Sequence, residues 1–90
     1  MSTRDATTAP IRVTLYTRTD CHLCEDMRAV VERVARSIPL TIERVDVDTD
    51  PQLAATYGAE VPVLCVNGRK AFKYRVDERA LRARLAREQP

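Results

Sequence analysis

Cys21 and Cys24, three positions apart in Cys21-His22-Leu23-Cys24, are the residues of this chain best suited to chemistry. On a turn from strand to helix, such a pair brings its sulfurs within reach of a disulfide. It also sets the first sulfur at the positive end of a helix. The thiolate is the reactive form, and an ordinary cysteine titrates at about 8.5. The unpaired N–H groups of a helix's first turn favour an anion there. Cys21 is therefore expected to be exposed, with a lowered but not extreme pKa. Cys24, one turn further in and more buried, is expected to resolve the mixed disulfide that Cys21 forms by attack on a substrate. Arg18, three residues before Cys21, adds a mobile positive charge, and His22 helps when protonated. Glu25 and Asp26 oppose this with negative charge in the same turn.

The elements needed to hold that pair are legible around it. Ile11, Val13 and Leu15 alternate with Arg12, Thr14 and Tyr16, which predicts a strand over Ile11–Thr17. Thr17-Arg18-Thr19-Asp20 is the connecting loop. Leu23, Met27, Val30, Val31 and Val34 recur at steps of three and four, so a helix from Cys21 or His22 to Ser37 has one apolar face. Pro39 disfavours a helical residue before it and marks the helix's end. Leu40–Val47 reads as a second strand. Its apolar residues change phase between Ile42 and Val45, which implies a bulge or an Arg44 stem lying along the core, and its partly polar character suits a sheet edge.

Asp50-Pro51 starts a short second helix, with Asp50 as cap and Pro51 in the first turn. Leu53 and Tyr57 share its face, and Gly58 is expected as a left-handed stop. Val63–Val66 is a buried strand, Asn67-Gly68 a two-residue hairpin, and Ala71–Tyr74 the returning antiparallel strand. Asp77 caps a final helix running to Arg87, with a thin apolar stripe of Ala80, Leu81 and Leu85. The order is β-α-β-α-β-β-α, and the helix between the first two strands requires them to be parallel.

Ninety residues make one domain. Fifteen basic and thirteen acidic residues give a net charge of +2, too small for strong capture of nucleic acid. Three cysteines are too few, and odd in number, for a secreted disulfide scaffold. One catalytic pair and one single thiol suit a reducing cytosol. The chain begins with no basic-then-apolar leader and has no apolar run of membrane-spanning length. A cytoplasmic protein is therefore expected, without membrane or nucleic-acid partners and monomeric. Residues 1–10 are polar, small and aperiodic, and are expected to form a loose tail ahead of a domain over 11–88. Cys65, in a predicted buried strand, reads as a small hydrophobe. Tyr16 and Tyr57 read as packing residues. Arg79, Arg82, Arg84 and Arg87 read as the solvated face of the last helix.

From about Ile11 to Arg87 the chain resembles the glutaredoxin-like branch of the thioredoxin superfamily. The resemblance rests on the Cys21–Cys24 pair after the first strand, the element order, Val61-Pro62 opening the third strand, and the Asn67-Gly68 hairpin before a last helix. It implies an α/β thioredoxin-like fold with a four-stranded mixed sheet flanked by three helices. It also implies that Cys21 is the nucleophile, Cys24 the resolving cysteine and Pro62 a cis-proline. Val61 would then have a backbone free to pair with an extended substrate. Among substrate-binding positions the resemblance includes Asp77, and the residues add Arg18 and His22.

There are departures. Glu60 stands where glutaredoxins commonly have Thr, Tyr74-Arg75-Val76 where they often have a Gly-Gly segment, and His22-Leu23 where they usually have Pro-Tyr. Glu60 would repel anionic glutathione.

The function expected is a small thiol–disulfide oxidoreductase that reduces disulfides or mixed disulfides through Cys21 and Cys24. No cofactor is expected to be tightly bound, and glutathione is admitted as a co-substrate. The partners expected are a disulfide-bearing protein or glutathione mixed disulfide, and an electron donor of the glutathione or thioredoxin-reductase type. The dithiol potential is expected at about −270 to −180 mV. A competing reading is a metal or iron–sulfur module built on Cys21, His22, Cys24 and Cys65, although one Cys-x-x-Cys supplies only two good ligands where a closed zinc site needs four. A third is a non-catalytic adaptor on the same fold.

Overall fold

The computed structural model describes residues 10–88. The expected loose tail over 1–10 lies, apart from Pro10, outside the described residues. The strands are β1 (Ile11–Thr17), β2 (Leu40–Asp46), β3 (Val63–Val66) and β4 (Arg69–Lys73). The helices are α1 (His22–Ala35), α2 (Pro51–Tyr57) and α3 (Glu78–Ala86), and a 3₁₀ turn spans Val47–Thr49. The sheet order is β2-β1-β3-β4. β1 runs parallel to β2 and antiparallel to β3, and β3 runs antiparallel to β4.

The alternation in β1 decides which face of the sheet becomes the core. Ile11, Val13 and Leu15 point to one side and are buried. There they meet Met27, Val31 and Val34 of α1, Leu64 and Val66 of β3, and Leu81 and Leu85 of α3. Ridges at steps of three and four on α1 and α3 thus close over a period-two surface. Tyr16, on the other face, stacks on Tyr57 of α2 with ring centroids 4.2 Å apart. Both tyrosines pack, as expected. Arg33 of α1 reaches Glu78 of α3 at 2.8 Å, a surface pair that aligns the two helices more than it stabilises them.

Several boundaries differ from the sequence reading. The first helix stops at Ala35, and the last turn tightens so that the Ser37 and Ile38 N–H groups both donate to the Val34 carbonyl. β2 pairs with β1 without interruption from Ile11↔Leu40 to Thr17↔Asp46, so the expected bulge is absent there. Its phase change arises because an edge strand buries little; Ile42 is 39% exposed. Val47 leaves the strand because the Asp46 carboxylate caps the Asp48 N–H at 2.9 Å and starts the 3₁₀ turn.

Asn67 and Gly68 both have positive φ, 48° and 86°, the signature of a primed hairpin turn. That turn pairs Val66 with Arg69 directly, so β4 begins two residues earlier than predicted. The register then shifts between Leu64 and Cys65, and Tyr74 falls outside the strand.

Candidate active site

β1 delivers the chain to one end of the sheet, where Asp20 turns it at φ 60°, a left-handed conformation that a short polar side chain tolerates. Cys21 follows as the N-cap of α1, with extended backbone. Its Sγ accepts the Cys24 N–H at 3.1 Å. One of the orphan donors of the first turn is thus spent on the sulfur, which is the physical basis for a stabilised thiolate. Cys21 and Cys24 form a disulfide, with Cα atoms 5.2 Å apart. Cys21 is half-buried and lines an open depression of about 450 Å³ with Asp20, His22 and Glu25. Cys24 is 1% exposed. One sulfur can meet a substrate and the other is reachable only from within.

The charges around the pair differ from those expected. Glu25 bonds Arg28 at 2.8 Å and Arg44, from β2, at 2.9 Å. The Arg28 hydrogen bond, with both guanidinium charges, holds its carboxyl below the usual range despite some desolvation. Its opposition to a Cys21 thiolate is therefore largely matched by positive charge. Arg44 spends its side chain on this bridge rather than on the core.

Arg18 is not the mobile charge anticipated. Its Nε and Nη2 grip both Asp48 carboxylate oxygens at 3.0 and 3.1 Å, and its Nη1 donates to the Gly58 carbonyl at 3.2 Å. It ties the loop before Cys21 to the 3₁₀ turn and to the end of α2. Gly58 is buried behind it, and its conformation is right-handed, φ −54° and ψ −36°, not the left-handed stop read from sequence. What requires glycine is space. A Cβ there would collide with the Ala54 carbonyl oxygen and come within 2.9 Å of Arg18 Nη2. In a right-handed site Gly→Ala ordinarily stabilises by about 0.4–1 kcal/mol. Overpacking costs about 1–3 kcal/mol and wins here. Gly58→Ala is accordingly expected to lower the thermal midpoint, and an unchanged or raised midpoint would refute the close-packing account.

The remaining predicted positions separate into two groups. Val61 and Pro62 come to the same end of the sheet as the dithiol. Tyr16↔Val63 is the last pair between β1 and β3, so the next residues outward are Thr17 and Pro62. The Val61–Pro62 bond is cis, and Pro62 is buried. Among the described residues, the Val61 N–H and carbonyl have no hydrogen-bond partner. His22 is exposed beside Cys21. Asp77, by contrast, caps α3 by accepting the Ala80 N–H at 3.0 Å, so one of its oxygens has a structural task.

Glu60 bonds Lys70 at 2.5 Å and Lys73 at 3.4 Å, and the Lys70 bond, with both lysine charges, lowers its pKa. It is thus paired, which weakens the repulsion of glutathione expected from sequence. Only the hairpin register brings those lysines to it, so no local signal could have revealed the pairing.

Cys65 is buried in β3, on the face of Tyr16 and Tyr57. Burial pushes its thiol up, and only partial compensation comes from the Tyr57 hydroxyl and Lys70. This suits a packing role at neutral pH. Among the described residues, no group of three or more His, Cys, Asp or Glu side chains is arranged to hold a metal ion. The terminal-helix arginines are also partly engaged, Arg82 with Glu78 and Ser37, and Arg84 with Glu88.

The chain matches the Glutaredoxin-like domain family over residues 12–86. An uncharacterized protein of Mycobacterium tuberculosis is 31% identical over 81 residues, spanning 84% of each chain. A thioredoxin of Methanocaldococcus jannaschii is 34% identical over 65 residues, covering 69% of this chain and 76% of that one. Among solved structures, a structural-genomics target protein of X. campestris superposes with a TM-score of 0.71 at 37% identity, covering 83% of this chain and 96% of the other. A Cys-x-x-Cys pair at disulfide distance on such a fold is the equipment of a thiol oxidoreductase. With its four-stranded mixed sheet, three helices and N-capping cysteine, the chain belongs to the glutaredoxin-like domain family and has a thioredoxin-like fold.

Proposed function

We propose that this protein reduces disulfide bonds in extended polypeptides. The observation that carries the reading is the asymmetry of the two sulfurs. Cys21 is accessible at a helix N-cap and bonded to the Cys24 N–H at 3.1 Å, while Cys24 is sealed beneath it. In the reduced protein the Cys21 thiolate attacks one sulfur of the substrate disulfide. A Cys21–substrate disulfide forms and the other substrate sulfur leaves as a thiolate, which takes up a proton. Cys24 then loses its proton and attacks Cys21 Sγ. The intramolecular disulfide forms and the second substrate thiol departs. Two electrons pass from the dithiol to the substrate, and two protons accompany them.

The Val61 backbone, unpartnered among the described residues, supports the polypeptide part of the reading, since it offers one donor and one acceptor to an extended segment held beside Cys21. Regeneration requires the reverse exchange with a thiol donor. Either glutathione or a dithiol reductase supplies the right chemistry, and the pairing of Glu60 with Lys70 and Lys73 offsets one of the departures that argued against glutathione. A cytoplasmic setting fits reduction as the direction.

The test is to mix reduced protein with a disulfide-linked peptide and follow free thiol and the state of Cys21–Cys24 together. One substrate disulfide is expected to disappear for each Cys21–Cys24 bond formed. No consumption of substrate, or consumption without formation of that bond, would remove the proposal.

A further inference from the structure

Tyr74 adopts a backbone conformation that its side chain disfavours. Its φ is 69°, in the left-handed region where a bulky aromatic is a true outlier. The Arg75 N–H donates to the Lys73 carbonyl at 2.8 Å across it, so Tyr74 is the central residue of a γ-turn of the rare, strained hand. Such residues persist where their surroundings hold them, and they concentrate at functional sites.

Tyr74 is held at both ends. Its N–H donates to the Pro62 carbonyl at 2.8 Å, and its hydroxyl to the Ala59 carbonyl at 3.4 Å. The ring therefore reaches back alongside Glu60 and Val61. Lys73 Nζ lies 5.5 Å from its centroid. Despite these ties the residue remains 43% exposed, one of two exposed large hydrophobics among the described residues. The other, Ile42, lies on the edge strand β2 at the far side of the sheet.

From this we infer that Tyr74 is a specificity-determining residue: its ring is the platform for an apolar side chain next to the cysteine of an extended substrate paired on Val61. The inference rests on the polypeptide-disulfide reading above. Two observations favour an apolar occupant. The ring is the exposed apolar surface adjoining an unpartnered backbone, and aromatic faces gain most from apolar and aromatic contacts. The acidic group alongside the ring, Glu60, is occupied by Lys70 and Lys73.

The experiment compares two peptides that differ only in Leu or Gly beside a cysteine held in mixed disulfide with 2-mercaptoethanol. Reduced wild-type protein is expected to react with the Leu peptide with a second-order rate constant about tenfold larger than with the Gly peptide, the scale of one aromatic contact with its buried area. Tyr74→Gly is expected to reduce both peptides at nearly the same rate. Tyr74→Phe, which keeps the ring, is expected to retain the preference. Glycine accepts φ 69° freely, so Tyr74→Gly is also expected to keep or raise the thermal midpoint.

A Leu preference that survives Tyr74→Gly overturns the inference, as does a wild-type protein indifferent to the two peptides or an equal loss on both in Tyr74→Gly. If the wild-type protein reduces neither peptide, it is the proposed reductase function that fails, and Tyr74 loses its role with it.

Discussion

Cys21→Ser is expected to lower disulfide exchange by on the order of a thousandfold or more, because an alcohol oxygen cannot replace the thiolate as nucleophile at neutral pH. Cys24→Ser is expected to behave differently. Cys21 stays accessible and keeps the backbone N–H at position 24, so attack proceeds, while resolution cannot. A mixed disulfide at Cys21 should accumulate to near stoichiometry and be visible as the added mass of the substrate half. The rate of Cys21 alkylation against pH in Cys24→Ser should report a pKa below about 8.5, since the N-cap position favours the anion. The sign follows directly. A lowered pKa leaves more thiolate at neutral pH, and reactivity falls as pH drops through the lowered value. Full reductase activity in Cys21→Ser would refute the role of Cys21, and an adduct trapped on Cys24 in Cys21→Ser with none on Cys21 in Cys24→Ser would reverse the assigned roles.

The second large effect lies away from the sulfurs. Leu64 is fully buried in β3, in the cluster formed with α1 and α3. Leu64→Ala is expected to cost about 2–5 kcal/mol, from lost transfer energy and an incompletely collapsed cavity. A domain of this size commonly has about 5–15 kcal/mol in total. The thermal midpoint should therefore fall by about 10–30 °C. By contrast, Arg33→Ala removes one exposed pair with Glu78 and should move the midpoint little. A Leu64→Ala protein melting within a few degrees of wild type would mean that the core is not organised around β3. Because β3 also leads out of Val61-Pro62, partial loss of exchange in Leu64→Ala at temperatures below its midpoint would show how far the site borrows its rigidity from that strand.

Much of this was legible from residues a few positions apart. The Cys21–Cys24 spacing, the Asp50 and Asp77 caps and the Asn67-Gly68 hairpin all express interactions within one turn of chain, and the structure shows each in place. Apolar periodicity likewise carried the order of strands and helices along the chain, because burial selects a period of two or of 3.6 wherever one face meets a core. The misreadings fall where a residue's role depends on a distant neighbour. Arg18 looked like a free charge because Asp48 and the Gly58 carbonyl are 30 and 40 positions away. Gly58 looked like a helix stop because its real constraint, the Arg18 guanidinium and a crowded turn, comes from packing. Glu60 looked repulsive until the hairpin brought Lys70 and Lys73 across.

By itself, then, the order of residues determined that one cysteine would cap a helix and the other would lie a turn inside it, since that outcome needs only a strand, a tight loop and an amphipathic helix in succession. Tertiary structure alone decided what surrounds them: the Arg44 guanidinium on Glu25, the clamp on Arg18 and the tyrosine held in a left-handed turn beside Val61. The reason is that capping and periodicity act over a single turn, whereas long-range charge pairing and the strained turn at Tyr74 are settled by which elements become neighbours.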